Sequence, residues 1–422
     1  MNVIITPSKL KGDVIVPPSK SLSHRAIIAA SLAEGRSKIS NIIYSEDINA
    51  TIDAMTSLGA HIEKYDDYLI IDGSAPKRIG NVINANESGS TIRFMIPIAL
   101  VVDSPIIFEG RNNLVNRPLD VFTQIFDELG IKYERGEKYL PMKVYNGLKP
   151  ATYKVRGDVS SQFITGLLYA LPLLNGDSKI EITTKLESKG YIDLTMDVLK
   201  KFGIIIKTDD YKTFDIKGNQ KYKPLDYTVE GDYSQVAFWA VANTLGSEIN
   251  ILCMNENSYQ GDKKIISDIN DFGGKVYFKD GMFKSDSSKT HGATIDFANS
   301  PDLGPILTVL ASLSEGHSTF TSVERLRIKE CDRVTCMVEE LKKMGANLID
   351  AGDTMEIDGV SMLKPSLDLD SHNDHRIVMA LAIASTKCSG KIRIINASAI
   401  KKSYPHFFKA FEAVGGIVEY ED

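Results

Sequence analysis

Val338-Glu339-Glu340-Leu341-Lys342-Lys343-Met344-Gly345-Ala346-Asn347-Leu348-Ile349 reads as an amphipathic helix, a glycine stop and the start of a strand. Glycine suits the residue just past a helix, where the backbone turns left-handed and a Cβ is penalised. The same apolar-glycine pair recurs at Leu58-Gly59, Leu129-Gly130, Phe202-Gly203, Phe272-Gly273, Met344-Gly345 and Val414-Gly415. The glycines are spaced by 71, 73, 70, 72 and 70 residues. A constant period of this kind marks a repeated supersecondary unit.

A second, more apolar helix recurs with the same period, ending near Gly35, Asp103, Gly176, Gly246, Gly316 and Gly390. Residues 163–174 and 377–384 belong to this set. Being apolar on most sides, these helices are expected to be buried. Each is preceded by a polar cluster, among them Ser19-Lys20-Ser21, Glu87-Ser88-Gly89-Ser90-Thr91, Ser160-Ser161-Gln162, Ser300-Pro301-Asp302 and His372-Asn373-Asp374-His375-Arg376. Capping explains Ser, Thr and Asp there without any function. It does not explain Lys20, Arg93, Gln162, His375 and Arg376, and lysine and arginine are the odder for lying where a helix N-terminus repels cations. A bound anion reconciles helix end, hydroxyls and cations. Two similar α/β lobes of three units each are therefore expected, breaking near Glu230-Gly231-Asp232. The first lobe spans residues 19–230. Residues 1–18 plus 231–422 form the second, discontinuous one. Helix N-termini gathered on the facing sides of the lobes would attract anions.

The composition of the 422 residues is that of a soluble globular protein, with 43% hydrophobic and 25% charged residues. A net charge of −6 argues against a broad basic face for nucleic acid, so any anion site must be a local gathering of cations. No membrane-length apolar run or signal peptide is apparent. Cys253, Cys331, Cys336 and Cys388 form no CxxC pair, which fits a reduced, cytoplasmic protein.

Several residues stand out for chemistry. Lys20, Ser21 and Arg25 lie in Pro18-Ser19-Lys20-Ser21-Leu22-Ser23-His24-Arg25. Arg117 directly precedes Pro118, which reads as the first residue of a helix; by itself this arginine reads first as a surface charge. Glu324-Arg325-Leu326-Arg327-Ile328-Lys329-Glu330-Cys331-Asp332-Arg333 follows a strand-like run and is either a solvated helix start or a site presenting Lys329, Glu330 and Arg333. Asp302 sits in a stiff turn and either caps a helix or acts in a site. His372 and His375 suggest a metal, with imidazoles three apart on a helix, but too few matching ligands accompany them and Arg376 repels a cation. Lys402 lies in a turn near a strand end.

Taken in order, Pro18 to Arg25, Ser88-Gly89-Ser90-Thr91-Ile92-Arg93, Asn116-Arg117-Pro118, Ser160-Ser161-Gln162-Phe163, Arg327 to Arg333, Asn373-Asp374-His375-Arg376 and Lys402-Ser403-Tyr404-Pro405 resemble the 5-enolpyruvylshikimate-3-phosphate synthase family over nearly the whole chain. The resemblance implies two lobes, each of three βαβαββ repeats with buried helices, an inside-out α/β barrel type. It implies transfer of the enolpyruvyl group of phosphoenolpyruvate to the 5-hydroxyl of shikimate 3-phosphate, with release of phosphate and without metal or organic cofactor. A monomer is expected, with no nucleic-acid or membrane partner. The resemblance assigns shikimate 3-phosphate to Lys20, Ser21, Arg25, Ser160, Ser161, Gln162, Ser188, Asp302 and Lys329. It assigns phosphoenolpyruvate to Lys20, Gly89, Arg117, Gln162, Arg333, Arg376 and Lys402. Asp302 is the implied base on the hydroxyl, Glu330 and Lys20 the implied pair for proton traffic, and His375 an auxiliary group.

The chain departs from the family pattern in three places. Glu87-Ser88-Gly89-Ser90 stands where Asn-(Ala or Ser)-Gly-Thr is common, Cys331 replaces a usual Ser or Thr, and Arg325 stands where some members have an Asn. The sister family that acts on UDP-N-acetylglucosamine opens with Lys-Asn rather than Lys20-Ser21 and carries a cysteine in the loop ending in Arg-Pro, which residues 104–118 lack. A non-catalytic phosphometabolite-binding protein on the same scaffold is the remaining alternative. Asp302 and Glu330 speak against it, since anion binding alone gives no reason for carboxylates.

Overall fold

All six apolar-glycine pairs close a helix in the computed structural model, which describes residues 1–208 and 210–421. The helices are Glu46–Ser57, Asp120–Leu129, Lys189–Lys201, Ile265–Asp271, Arg333–Lys343 and Phe407–Ala413. Every one of the six glycines has a positive φ, between 67° at Gly130 and 102° at Gly59. The next residue's N–H then donates back into the last turn, as from Ala60 to Met55 O (3.2 Å), Ile131 to Phe126 O (2.8 Å) and Ala346 to Leu341 O (3.0 Å). This return bond satisfies a carbonyl that the helix end leaves open and sends the chain into the following strand.

The described strands form six four-stranded sheets of one topology: a parallel pair, then two antiparallel neighbours. Thr152–Val155 runs parallel to Ser178–Ile182, which pairs antiparallel with Thr213–Ile216 and through it with Ile206–Lys207. Three sheets are completed by strands from distant sequence. Tyr227–Thr228 pairs in parallel with Gly35–Ser40, and Lys11–Ile15 pairs in parallel with Glu248–Leu252. Asn2–Thr6 lies between Ile392–Ile395 and Ile417–Glu421, antiparallel to both. Val3 and Ile5 on its inner face are fully buried, as period-two alternation requires.

The chain divides into two compact units, residues 20–229 and residues 1–19 with 230–422, each with its own apolar core. The helices expected to be buried are: all twelve residues of Tyr233–Thr244, all nine of Gly304–Ser312 and all ten of His375–Ala384. In the other unit, Gly89–Ala99 and Ser161–Ala170 meet closely at Gly166, where a Cβ would lie 2.4 Å from Arg93 O. Among the described residues no helix is long and apolar enough to cross a membrane.

Three local readings need correction. The helix after Arg117 begins at Asp120, not Pro118; buried Leu119 takes the cap position and Asp120 puts an anion in the first turn. Residues 324–333 form a short helix, Glu324–Arg327, then a connection, so Lys329 and Glu330 lie in that connection and Arg333 opens the next helix. His372 and Asn373 have left-handed backbones (φ 49° and 56°), so His372 precedes the helix that His375 begins.

Candidate active site: a polar cluster in each unit

In the unit of residues 20–229, Lys20 opens the helix Lys20–Leu32 and its Nζ lies 2.9 Å from Asp47 Oδ2. That carboxylate offsets the repulsion between the ammonium and the helix N-terminus. Arg25, one turn on, is buried. It donates through Nε to Thr195 Oγ1 (2.8 Å), Nη1 to Ser21 O (2.8 Å), and Nη2 to Tyr191 O (3.2 Å) and Thr165 Oγ1 (3.4 Å), while stacking on Phe94. Most of its donors therefore hold the Ser21 turn and the helix Lys189–Lys201 together. Ser188, buried and left-handed, precedes that helix.

Two further helix starts carry the remaining groups of this unit. Ser88 caps Gly89–Ala99 by accepting from Thr91 N at 3.1 Å. The Arg117 guanidinium lies against Gly89: a Cβ there would sit 2.4 Å from Nη1. Ser160 caps the helix that Ser161 opens, accepting from Gln162 N at 3.3 Å. Gln162 donates to Ser90 Oγ and accepts from Arg93 Nη1, both at 2.8 Å, tying the two helix starts to each other. Beneath them runs a buried chain: His24 Nδ1, Thr51 Oγ1, Thr91 Oγ1 and Ser88 Oγ, with each contact 2.7 Å. Burial first, then Lys20 and Arg25, hold the His24 pKa well below its ordinary value, so this imidazole is neutral.

In the other unit Asp302 lies in the turn Pro301–Leu303 that precedes Gly304–Ser312. It does not cap that helix. Its Oδ1 meets Arg333 Nη1 at 2.9 Å and Lys329 Nζ at 3.4 Å, and its Oδ2 meets Arg376 Nη2 at 3.1 Å. Burial pushes the carboxyl up, but Arg376, Lys329 and Arg333 outweigh it and hold it well below the ordinary range. Arg333 is almost wholly buried and forks between three carboxylates, reaching Asp374 through Nε and Glu330 through Nη2, both at 2.8 Å. Asp374 caps His375–Ala384 by accepting from Arg376 N at 2.8 Å. Arg376 also reaches Ser234 Oγ at 3.0 Å. Lys402 donates to Asn373 O at 2.7 Å, His375 lies buried beside Asp374, and Arg325 donates to Ala298 O at 2.7 Å.

This cluster thus joins Asp302, Lys329, Glu330, Arg333 and Arg376, and that of the other unit joins Gly89 with Arg117 and Gln162 with Ser90 and Arg93. Asp374, Ser234, Asp47 and the threonines had no assignment from sequence. Asp374 had a usable signal: it stands two residues before Arg376 at a helix start, the position from which a carboxylate caps. Among the described residues, ligand-type side chains close enough to share an ion occur at Glu339, Glu340 and His372; Lys343 Nζ already lies 2.9 Å from Glu340 Oε2.

The architecture is that of the enolpyruvyl transferases. It aligns over its full length with an EPSP synthase from Acinetobacter baumannii (TM-score 0.79, 24% identity, 100% of each chain). It aligns likewise with an enolpyruvyl transferase from Streptomyces tendae (TM-score 0.78, 15% identity, 100% of this chain and 98% of that one). Sequence is more specific. The pattern of EPSP synthase (3-phosphoshikimate 1-carboxyvinyltransferase) matches residues 4–411. A 3-phosphoshikimate 1-carboxyvinyltransferase from Clostridium perfringens is 50% identical over 422 residues, covering 99% of each chain, and one from Clostridioides difficile is 49% identical over 426 residues, covering 98% of each. The chain belongs to the EPSP synthase family.

Proposed function

We propose that this chain transfers the enolpyruvyl group of phosphoenolpyruvate to the 5-hydroxyl of shikimate 3-phosphate and releases inorganic phosphate. Family membership supports the reaction; the observation that carries the chemistry is Asp302, a carboxylate gripped by Lys329, Arg333 and Arg376. Substrates bearing phosphate and carboxylate groups draw on the charge of those cations. That lifts the depression of Asp302 and leaves it basic enough to take the hydroxyl proton. The hydroxyl oxygen bonds to the enol carbon as the methylene gains a proton. The adduct then loses that proton and phosphate, with Glu330 and Lys20 serving the transfers. The fixed guanidinium and ammonium groups stabilise the adduct's shifting negative charge.

Within residues 20–229, Lys20, Ser21, Arg25, Ser160, Ser161, Gln162 and Ser188 are assigned to shikimate 3-phosphate, and Lys20, Gly89, Arg117 and Gln162 to phosphoenolpyruvate. In the other unit, Asp302 and Lys329 are assigned to the first substrate and Arg333, Arg376 and Lys402 to the second, with His375 as an auxiliary group. Free thiols at Cys253, Cys331, Cys336 and Cys388 support action in the reducing cytoplasm, and a monomer is the proposed working form. The deciding assay is phosphate release. Release with phosphoenolpyruvate and shikimate 3-phosphate is expected; release only with UDP-N-acetylglucosamine as acceptor would overturn the assignment.

A further inference from the structure

Cys331 and Cys336 bracket the start of the helix Arg333–Lys343. Asp332 caps that helix, accepting from Val334 N and Thr335 N at 3.1 Å each. Cys331 thus stands one residue before the cap and Cys336 at the fourth helical position. Side chains at these two positions pack on each other across a helix start, and apolar residues usually fill them. Here two thiols occupy them. Cys331 is partly exposed, while Cys336 is 5% exposed. The Cys331 proton is also within reach of Asp374 Oδ2, at 3.8 Å. His372, whose Nε2 lies 2.8 Å from Glu340 Oε1, acts on the Cys336 thiol through its charge. The Cys336 thiol is lowered to about 7, first by the hydrogen bond from Cys331 and further by His372, against the burial that pushes it up. Thiolate at Cys336 is therefore accessible near neutral pH, and thiolate is the reactive form.

We propose that Cys331 and Cys336 form an oxidant-sensitive pair that a peroxide closes into a disulfide, disabling the charged cluster built on Arg333. The Cys336 thiolate attacks a peroxide oxygen, the O–O bond breaks, and Cys336 becomes a sulfenic acid as hydroxide leaves. The Cys331 sulfur, giving up its proton, then attacks the Cys336 sulfur and expels hydroxide. With the protons counted, two thiols and one hydrogen peroxide give one disulfide and two waters. Bond formation draws Cys331 inward and away from Asp374. Its neighbour Glu330 moves with it, off the Arg333 guanidinium. Misplacing such groups by about 1 Å costs on the order of a hundredfold in rate.

The test treats the purified full chain with hydrogen peroxide and digests it with trypsin without reduction. Cleavage after Lys329, Arg333 and Lys342 puts the two cysteines on separate peptides, 330–333 and 334–342, so the disulfide appears as a covalently linked pair in the mass spectrum. The exposed Cys253 gauges the oxidant dose. The expected result is the linked pair together with about a hundredfold loss of phosphate release, restored by a thiol reductant. Cys336→Ser should resist inactivation, as should Cys331→Ser if the first variant fails to fold. Oxidised Cys253 without linked peptides, or inactivation of the serine variants at the wild-type rate, would overturn the proposal. The loss of activity rests on the function proposed above; the linked peptides do not, so the two readings fail separately.

Discussion

Arg333 donates through Nη1 to Asp302 Oδ1 at 2.9 Å, and against burial, which pushes the carboxyl up, Arg376, Lys329 and Arg333 together hold the carboxylate assigned as base ionised. Removing the carboxylate leaves Arg333, Arg376 and Lys329 less compensated, which favours anion binding rather than weakening it. Asp302→Ala is therefore expected to keep its substrate affinity while kcat falls by at least about 10²-fold. Steady-state kinetics and equilibrium binding check this; near-wild-type turnover would remove Asp302 from the mechanism.

Gly89→Ala tests the contact between Gly89 and Arg117. The atom that the new Cβ meets first is the far end of a flexible side chain, so the guanidinium can move and the fold should survive. The expected outcome is an unchanged melting temperature with KM for phosphoenolpyruvate raised about tenfold, roughly 1.4 kcal/mol. An unchanged KM would show that Arg117 does not take that substrate.

Lys329 gives a pH limb. Burial first, with Arg333 and Arg325, lowers its pKa to about 8 against the pull of Asp302 and Glu330. Above that pH the free protein loses the ammonium, so kcat/KM should fall as pH rises through about 8, since this parameter reports the free enzyme. Lys329→Arg, which stays charged, should lose that limb. Stability moves the other way: a lysine whose folded pKa is depressed destabilises the native state below about 8, and the cost fades as pH rises toward the ordinary lysine value.

Arg333→Met should expose the structural side of the same group. The substitution leaves the fully buried carboxylate of Asp374, with Glu330 and Asp302, short of a cation. Breaking a buried network from one side costs about 3–5 kcal/mol, readable in urea unfolding. Arg333→Lys restores charge but not the three-way fork, so only part of the loss should return.

The repeat was legible because its cause is local. A residue that leaves a helix through the left-handed region favours glycine, and Gly59 and Gly345 mark that need in the sequence itself. The buried helices were legible because apolar residues surround them. The hydroxyl chain was not. Thr51 and Thr195 stand on amphipathic helices, Glu46–Ser57 and Lys189–Lys201, where a threonine looks ordinary; their partners His24 and Arg25 are 27 and 170 residues away. Local rules also misplaced Pro118, two residues before the helix start at Asp120, and His372, whose left-handed turn was not marked by a glycine.

The strand Asn2–Thr6 has one consequence for biosynthesis. It is made long before both its neighbours, Ile392–Ile395 and Ile417–Glu421. Residues 20–229 can close their three sheets while translation continues, as domains made early generally do. That strand must wait for Ile417–Glu421, so the unit carrying Asp302 and Arg333 can complete this sheet only after that segment has emerged.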